Sequence, residues 1–135
     1  MITQKFYIYS DDSYHSGCAS FLSENNDLFF IRLKGARKDR CLHYALFYCI
    51  KHINPMFPAE IFTLDDTIHK QFLKLLVQKD TMAYASNTPH QDIWCQIYDQ
   101  NKNRLSHIVL TKSINTENIA FKKLKGICEK ALIQT

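Results

Sequence analysis

The chain has 135 residues, which is enough for one compact domain but not for two hydrophobic cores of normal size. Apolar residues make up 46% and charged residues 22% of the chain, so its composition is globular and excludes a disordered chain or a coiled coil. The formal net charge of +4 permits an anionic partner without requiring one. We therefore expect a single domain over residues 1–135.

The chain shows no sign of export or of a membrane partner. No apolar run reaches the roughly 18 residues that a membrane span needs, and the first residues resemble a strand rather than a secretory signal. Five cysteines, an odd and widely spaced set without a C-x-x-C pair, indicate reduced buried thiols rather than disulfides or a zinc ribbon. We expect a cytoplasmic protein.

The first three predicted elements are strands. Residues 6–10 alternate between apolar and polar side chains, and residues 17–22 and 28–33 are short apolar runs. The polar links between them are short. The sequence therefore predicts an antiparallel three-stranded meander.

Helices and strands alternate in the rest of the chain. Apolar residues at helical spacing predict a helix that Asp39 caps and that Asn54-Pro55 ends. Residues 61–64 and 108–110 are predicted strands. Further helices are predicted at 67–77, with Asp66 as N-cap, and at 91–99 and 116–132, while 78–89 is polar and irregular. This order predicts an α/β fold with a mixed five-stranded sheet and helices covering it.

The element order resembles that of the ribonuclease H-like family, and four short strings support the resemblance. Y-S-D-D-S at 9–13 stands where the family has an aromatic-T-D-G-S string, and L-D-D at 64–66 stands where it has T-D-S. D-I-W at 92–94 resembles the family's D-L-W, and 105–112 resembles its last strand. The resemblance covers nearly the whole chain. It implies that Asp11 and Asp65 are the matches of two metal-binding, catalytic aspartates.

The departures from the family pattern concern the remaining site residues. Leu42 stands where the family's first long helix carries a Glu, and Lys122, or Phe121 with a one-residue slip, stands where its last helix carries an Asp. The histidine before that last helix is missing. His43 matches no family residue, and we expect it on the flank of its helix.

Two-metal phosphodiester cleavage needs several carboxylates to hold two cations together, and this chain keeps two matches. Asp12 and Asp66 are expected to face solvent or to cap a helix. We expect Lys122 to add positive charge beside Asp11 and Asp65 and to weaken cation binding. The pair is then expected to hold at most one Mg²⁺ or Mn²⁺, with no cofactor required. The alternative interpretation is that Asp11 and Asp65 only stabilise turns and helix caps at the strand ends, and it explains the two residues equally well.

Basic residues form two groups that could neutralise phosphates. Lys34, Arg37, Lys38 and Arg40 surround the link into the first long helix. Lys122, Lys123 and Lys125 lie on the last helix. A solvated helix face and a charged loop are the alternative interpretation. The aromatic candidates for stacking on bases are Tyr14, Tyr84 and Trp94, although Trp94 is more typical of a core.

Three functional hypotheses follow from these residues. The resemblance implies a domain with a degenerate active site that binds nucleic acid, or a protein of a nucleic-acid-processing complex, without cleavage. The first alternative is a Mg²⁺- or Mn²⁺-dependent nuclease with a rearranged carboxylate set, acting on an RNA–DNA hybrid or a structured nucleic acid. The second is a module that binds a protein partner or forms a homodimer.

Overall fold

A computed structural model describes residues 3–77, 89–115 and 118–133. It contains a five-stranded sheet in the order β3-β2-β1-β4-β5. The strands are β1 (Gln4–Asp12), β2 (Ser16–Ser23), β3 (Leu28–Lys34), β4 (Ala59–Thr63) and β5 (Ile108–Lys112). β1, β2 and β3 pair antiparallel, whereas β4 pairs parallel to β1 and β5 parallel to β4. The predicted mixed sheet is therefore confirmed.

Four α-helices connect or follow the strands in the described residues. They are α1 (Lys38–His52), α2 (Asp66–Val77), α3 (Gln91–Asn101) and α4 (Ile119–Ile133), with a 3₁₀ turn at Leu105–His107. The expected cap of α1 is wrong: the N-cap is Arg37, and Asp39 lies in the first turn. Asp12 supplies the capping carboxylate instead, because its Oδ2 accepts a 2.9 Å hydrogen bond from Lys38 N. A residue distant in sequence thus stabilises the start of α1 by accepting from one of its free backbone amides.

The two long helices α1 and α4 cover opposite faces of the sheet. Phe6, Ile8 and Phe21 belong to the main core together with the apolar side of α1, whereas Cys18 packs with Cys128 of α4. Alternation along β1 and β2 explains this division, since neighbouring residues of a strand point to opposite faces. Every residue of β2 is buried as a result.

The start of α1 lies very close to β2. A Cβ atom at Gly17 would be 2.3 Å from Cys41 Sγ and 2.6 Å from the Ala36 carbonyl oxygen, so only glycine fits there. This approach places the first turn of α1 beside the end of β1. Because β1 and β4 are parallel, their carboxyl ends meet at the same edge of the sheet. That edge carries the candidate site.

Two further sequence expectations concern thiols and membranes. All five cysteines are free; four are buried and Cys95 is half-buried. Within the described ranges, no helix combines the length and the apolar character that crossing a bilayer requires.

Candidate functional site

A cavity of about 270 Å³ opens at the carboxyl ends of β1 and β4, beside the first turn of α1. Its walls contain three carboxylates, one amine and several apolar or neutral side chains. They are Ile8, Tyr9, Ser10, Asp11, Lys38, Asp39, Leu42, Thr63, Leu64 and Asp65. The cavity therefore brings together Asp11 and Asp65, which lie 54 positions apart in the sequence.

The backbone engages one oxygen of each of these two carboxylates. Asp12 N donates a 2.8 Å hydrogen bond to Asp11 Oδ1, and Ile68 N donates one of 2.8 Å to Asp65 Oδ1. Neither Asp11 nor Asp65 accepts at its second oxygen from any residue that the structure describes. One oxygen of each carboxylate is thus left for a cation or water.

Asp65, rather than the predicted Asp66, caps α2. The acceptor at Asp65 satisfies the third amide of the helix, as an N-cap does. Asp66 is instead the first helical residue and forms a 2.9 Å ion pair with Lys70. The hydrogen bond from Lys70 lowers the pKa of the Asp66 carboxyl below its usual value. Asp12 and Asp66 both stand outside the cavity walls, as expected.

Helix α1 contributes an apolar side chain and an unexpected carboxylate to the cavity. Leu42, at the place of the family's Glu, lines the wall and is 7% exposed. Asp39 lies one helical turn earlier and lines the same cavity. Sequence reasoning missed Asp39 because it assigned this residue to the helix cap. The three-residue spacing from Leu42 was the signal that could have identified it.

Tyr9 is a neutral donor on the cavity wall. Burial, and after it the negative charge of Asp11, raise the pKa of its hydroxyl to about 12. The phenol therefore stays protonated at neutral pH and does not add charge to the site.

Asp39 also belongs to a network with two histidines. His90 Nε2 donates to Asp39 Oδ2 at 2.8 Å, and Arg40 Nη1 donates to His90 Nδ1 at 3.3 Å. His43 Nδ1 donates to the Asp39 carbonyl oxygen at 2.8 Å. The expectation that His43 lies on the helix flank is wrong: it is 1% exposed, because His90 and Trp94 pack against its ring.

The basic residues around the link into α1 differ in their surroundings. Lys34, Arg37 and Lys38 are exposed, and Lys38 lines the cavity. Arg40 forms a 2.6 Å ion pair with Asp92, and its hydrogen bond lowers the pKa of that carboxyl. The charge of Arg40 is thus already compensated, whereas the other three stand at the surface.

The second basic group lies on the other side of the sheet. Lys122, Lys123 and Lys125 are exposed on α4, and none of them lines the cavity. Lys38 is the basic residue that lines the cavity, and the expected effect of Lys122 on Asp11 and Asp65 stays a prediction.

The three aromatic residues proposed to stack on bases differ in their exposure. Tyr14 is 86% exposed and meets the ring of His15 edge-on. Trp94 is buried in the core. Tyr84 lies outside the described residues.

Comparison with known proteins identifies the fold. No family model and no curated protein matches the sequence. The structure is similar to that of LC11-RNase H1, isolated from compost by a metagenomic approach, with a TM-score of 0.69 and 12% identity over 98% of this chain and 99% of that one. It is also similar to LC11-RNase H1 in complex with an RNA/DNA hybrid, with a TM-score of 0.69 and 14% identity over 96% and 99% of the two chains. The chain therefore has the ribonuclease H-like α/β fold.

Proposed function

We propose that this chain binds nucleic acid at the Asp11–Asp65 cavity without cleaving it by a two-metal mechanism. The observation that carries the proposal is that Leu42 and Lys38 line the same cavity as the two aspartates. An apolar side chain and an amine stand where two cations would require further negative charge.

The carboxylates of the cavity fit one cation better than two. Two ions about 3.5–4 Å apart repel each other strongly, and several carboxylates must offset that repulsion. Asp11 and Asp65 each leave one oxygen, which suits a Mg²⁺ that keeps most of its waters. Asp39 is the third carboxylate, but His90 already donates to it. Mg²⁺ or Mn²⁺ held by Asp11 and Asp65 would bridge to a phosphate oxygen, and the proposal does not require it for binding.

Charge around the cavity supports a phosphate backbone as the ligand. Lys34, Arg37 and Lys38 are exposed at the end of β3 and the start of α1, and Lys38 lines the cavity. Such residues neutralise phosphates without reading sequence. The similar LC11-RNase H1 forms a complex with an RNA/DNA hybrid, so a hybrid is the first ligand to test. Lys122, Lys123 and Lys125 would serve a longer ligand that reaches the opposite face.

Fluorescence anisotropy with a labelled RNA–DNA hybrid, duplex DNA and duplex RNA tests the proposal. We expect binding that weakens as salt rises, with a slope that decreases when Lys38 and Arg37 are changed together to Glu. Lys102→Glu is the control matched in charge to Lys38→Glu alone, because Lys102 is exposed at the far end of α3 from His90. The proposed interface is wrong if both charge changes weaken binding equally, or if no nucleic acid binds at low salt.

Gel analysis of the same mixtures with Mg²⁺ or Mn²⁺ tests the absence of cleavage. We expect the hybrid to remain intact at protein concentrations that saturate it. Cleavage that disappears in Asp11→Asn would overturn this part of the proposal. It would favour the second candidate, a Mg²⁺- or Mn²⁺-dependent nuclease.

One observation favours that second candidate. Asp39 lines the cavity with Asp11 and Asp65, so three carboxylates converge when the contact with His90 opens. In that case Asp39→Asn should abolish cleavage as completely as Asp11→Asn, and His90→Gln should preserve or increase it.

A protein-interaction role is the third candidate. Edge strand β3 exposes Leu28 by 42% and Phe30 by 50%, and a free strand edge can pair with another chain. Sedimentation of the chain alone tests self-association. A dimer that Phe30→Lys dissociates, together with no binding to any nucleic acid, would favour this candidate over the first.

A further inference from the structure

Two histidines and one carboxylate form a compact cluster next to the cavity. Asp39, His43 and His90 each offer one ligand atom, and these atoms all lie within 4.8 Å of one another. We propose that the three residues bind one divalent transition-metal cation of the Zn²⁺ class. This site is separate from the Mg²⁺ or Mn²⁺ position between Asp11 and Asp65.

The fold places the three ligands on two elements. Asp39 and His43 are four residues apart on α1 and therefore share a face of the helix. His90 directly precedes α3 and has a φ of 59°, in the left-handed region that a histidine adopts rarely. This backbone conformation accompanies a ring that lies on His43, with 4.3 Å between the centroids. The cluster thus lies where α1 contacts the start of α3.

The ligand atoms are close together but must rearrange to accept an ion. His90 Nε2 lies 2.8 Å from Asp39 Oδ2, and His43 Nδ1 lies 3.9 Å from the other carboxylate oxygen, Oδ1. A tetrahedral ion with ligand bonds of about 2.1 Å separates its ligand atoms by about 3.4 Å. His90 must therefore move away from Oδ2 by about half an ångström, and the carboxylate must turn so that one oxygen serves both rings. His43 Nδ1 must also release the Asp39 carbonyl oxygen, to which it donates at 2.8 Å.

The second ring nitrogen of His43 has a suitable partner. Ligation through Nδ1 moves the proton to Nε2, where Gln71 Oε1 lies at 3.2 Å and can accept it. Metal-binding histidines commonly donate their other N–H in this way. The side chain of His43 is 2% exposed while that of Asp39 is 59% exposed, so the ion would enter from the Asp39 side and keep water there.

Imidazole ligands distinguish this site chemically from the aspartate pair. They favour Zn²⁺ and its transition-metal neighbours, whereas Mg²⁺ prefers oxygen ligands and binds imidazole poorly. Arg40 opposes occupancy: its Nη1 donates to His90 Nδ1, which carries a proton once Nε2 binds the ion. The guanidinium can retreat from His90 while it keeps Asp92 and Tyr44.

Calorimetric titration of the full chain with ZnCl₂, without nucleic acid, tests the site independently of the proposed function. We expect one Zn²⁺ per chain, binding at least ten times more tightly than to His90→Gln or Asp39→Asn. His107→Gln is the matched control at an exposed histidine, and Asp65→Asn is the control for the neighbouring cavity. Both controls should bind Zn²⁺ as the parent chain does. Circular dichroism establishes that each variant is folded.

Imidazole NMR resonances provide a second readout. Among the six histidines, only those of His43 and His90 should shift on addition of Zn²⁺. Arg40→Gln should bind Zn²⁺ at least as tightly as the parent chain, because it removes the opposing donor. Equal affinity of the parent and His90→Gln, shifts confined to other histidines, or loss of binding in Arg40→Gln would each overturn the assignment.

Discussion

His90 Nε2 donates a 2.8 Å hydrogen bond to Asp39 Oδ2, and Asp39 at the same time lines the cavity that contains Asp11 and Asp65. The contact joins residues 51 positions apart, one in the first turn of α1 and one just before α3. The orientation of the third carboxylate therefore depends on where α3 docks. Asp39 therefore connects the two sites proposed for the chain. It differs from Asp11 and Asp65 in that these two are positioned by the ends of β1 and β4.

Leu42→Glu should strengthen cation binding in the cavity. Leu42 is on the wall, and a carboxylate there would add the charge that two aspartates lack. We expect Mg²⁺ affinity, measured by calorimetry, to rise by about tenfold, since ligand charge controls such sites. Leu42→Gln is the isosteric neutral control, and both variants should lose about 1–3 kcal/mol of stability through the buried apolar contacts. Equal Mg²⁺ affinity in the two variants would show that a carboxylate at position 42 does not reach the bound cation.

Substitutions at Asp65 should separate its capping role from its charge. Asp65→Ala removes the acceptor for Ile68 N and should destabilise the protein by about 1 kcal/mol in urea unfolding. Asp65→Asn keeps an acceptor and removes the charge, so it should retain most of the stability while losing Mg²⁺ binding. If both variants are equally destabilised, the hydrogen bond at the start of α2 depends on the charge itself.

Two glycine substitutions should change stability in opposite directions. Gly17→Ala places a Cβ 2.3 Å from Cys41 Sγ and 2.6 Å from the Ala36 backbone, so we expect a loss of about 1–3 kcal/mol or more. Gly126→Ala introduces a methyl group into open space on α4 and should stabilise the helix by about 0.5–1 kcal/mol. Urea unfolding measures both. An unchanged stability for Gly17→Ala would contradict the close approach of β2 and α1.

The stability of the protein should fall at alkaline pH under reducing conditions. Burial raises the pKa of the Cys41 thiol from 9.0 to about 11. The unfolded chain then ionises at lower pH than the folded one, so the contribution is complete below pH 9 and is lost progressively up to about pH 11. Its size is roughly 2–3 kcal/mol.

Comparing the parent chain with Cys41→Ala isolates this effect. The variant should be less stable at pH 8, because it leaves a cavity, but its free energy of unfolding should fall less steeply between pH 9 and pH 11. Parallel pH profiles for the two chains would exclude Cys41 as a source of the alkaline loss.

Local patterns explain how far the fold could be predicted from the sequence. Alternation in β1 and apolar spacing in α1 depend on neighbouring residues alone, so both elements could be identified without long-range information. The similarity of the 9–13 and 64–66 strings to a known family also identified Asp11 and Asp65, which do share a cavity. The strand and helix predictions succeeded because periodicity along the sequence reflects which face of each element is buried.

Residue partners could not be predicted in the same way. Asp is a residue type that commonly caps helices, so Asp39 was the expected cap of α1. The carboxylate of Asp12 from β1 accepts from the helix start instead, and Asp39 lines the cavity and contacts His90. Lys122 aligned with a site residue, but it does not line the cavity, whereas Lys38 of α1 does. The sequence alone determined the order and type of the elements, since these follow from local burial patterns. The tertiary structure alone decided which charges meet, because that depends on how distant elements dock.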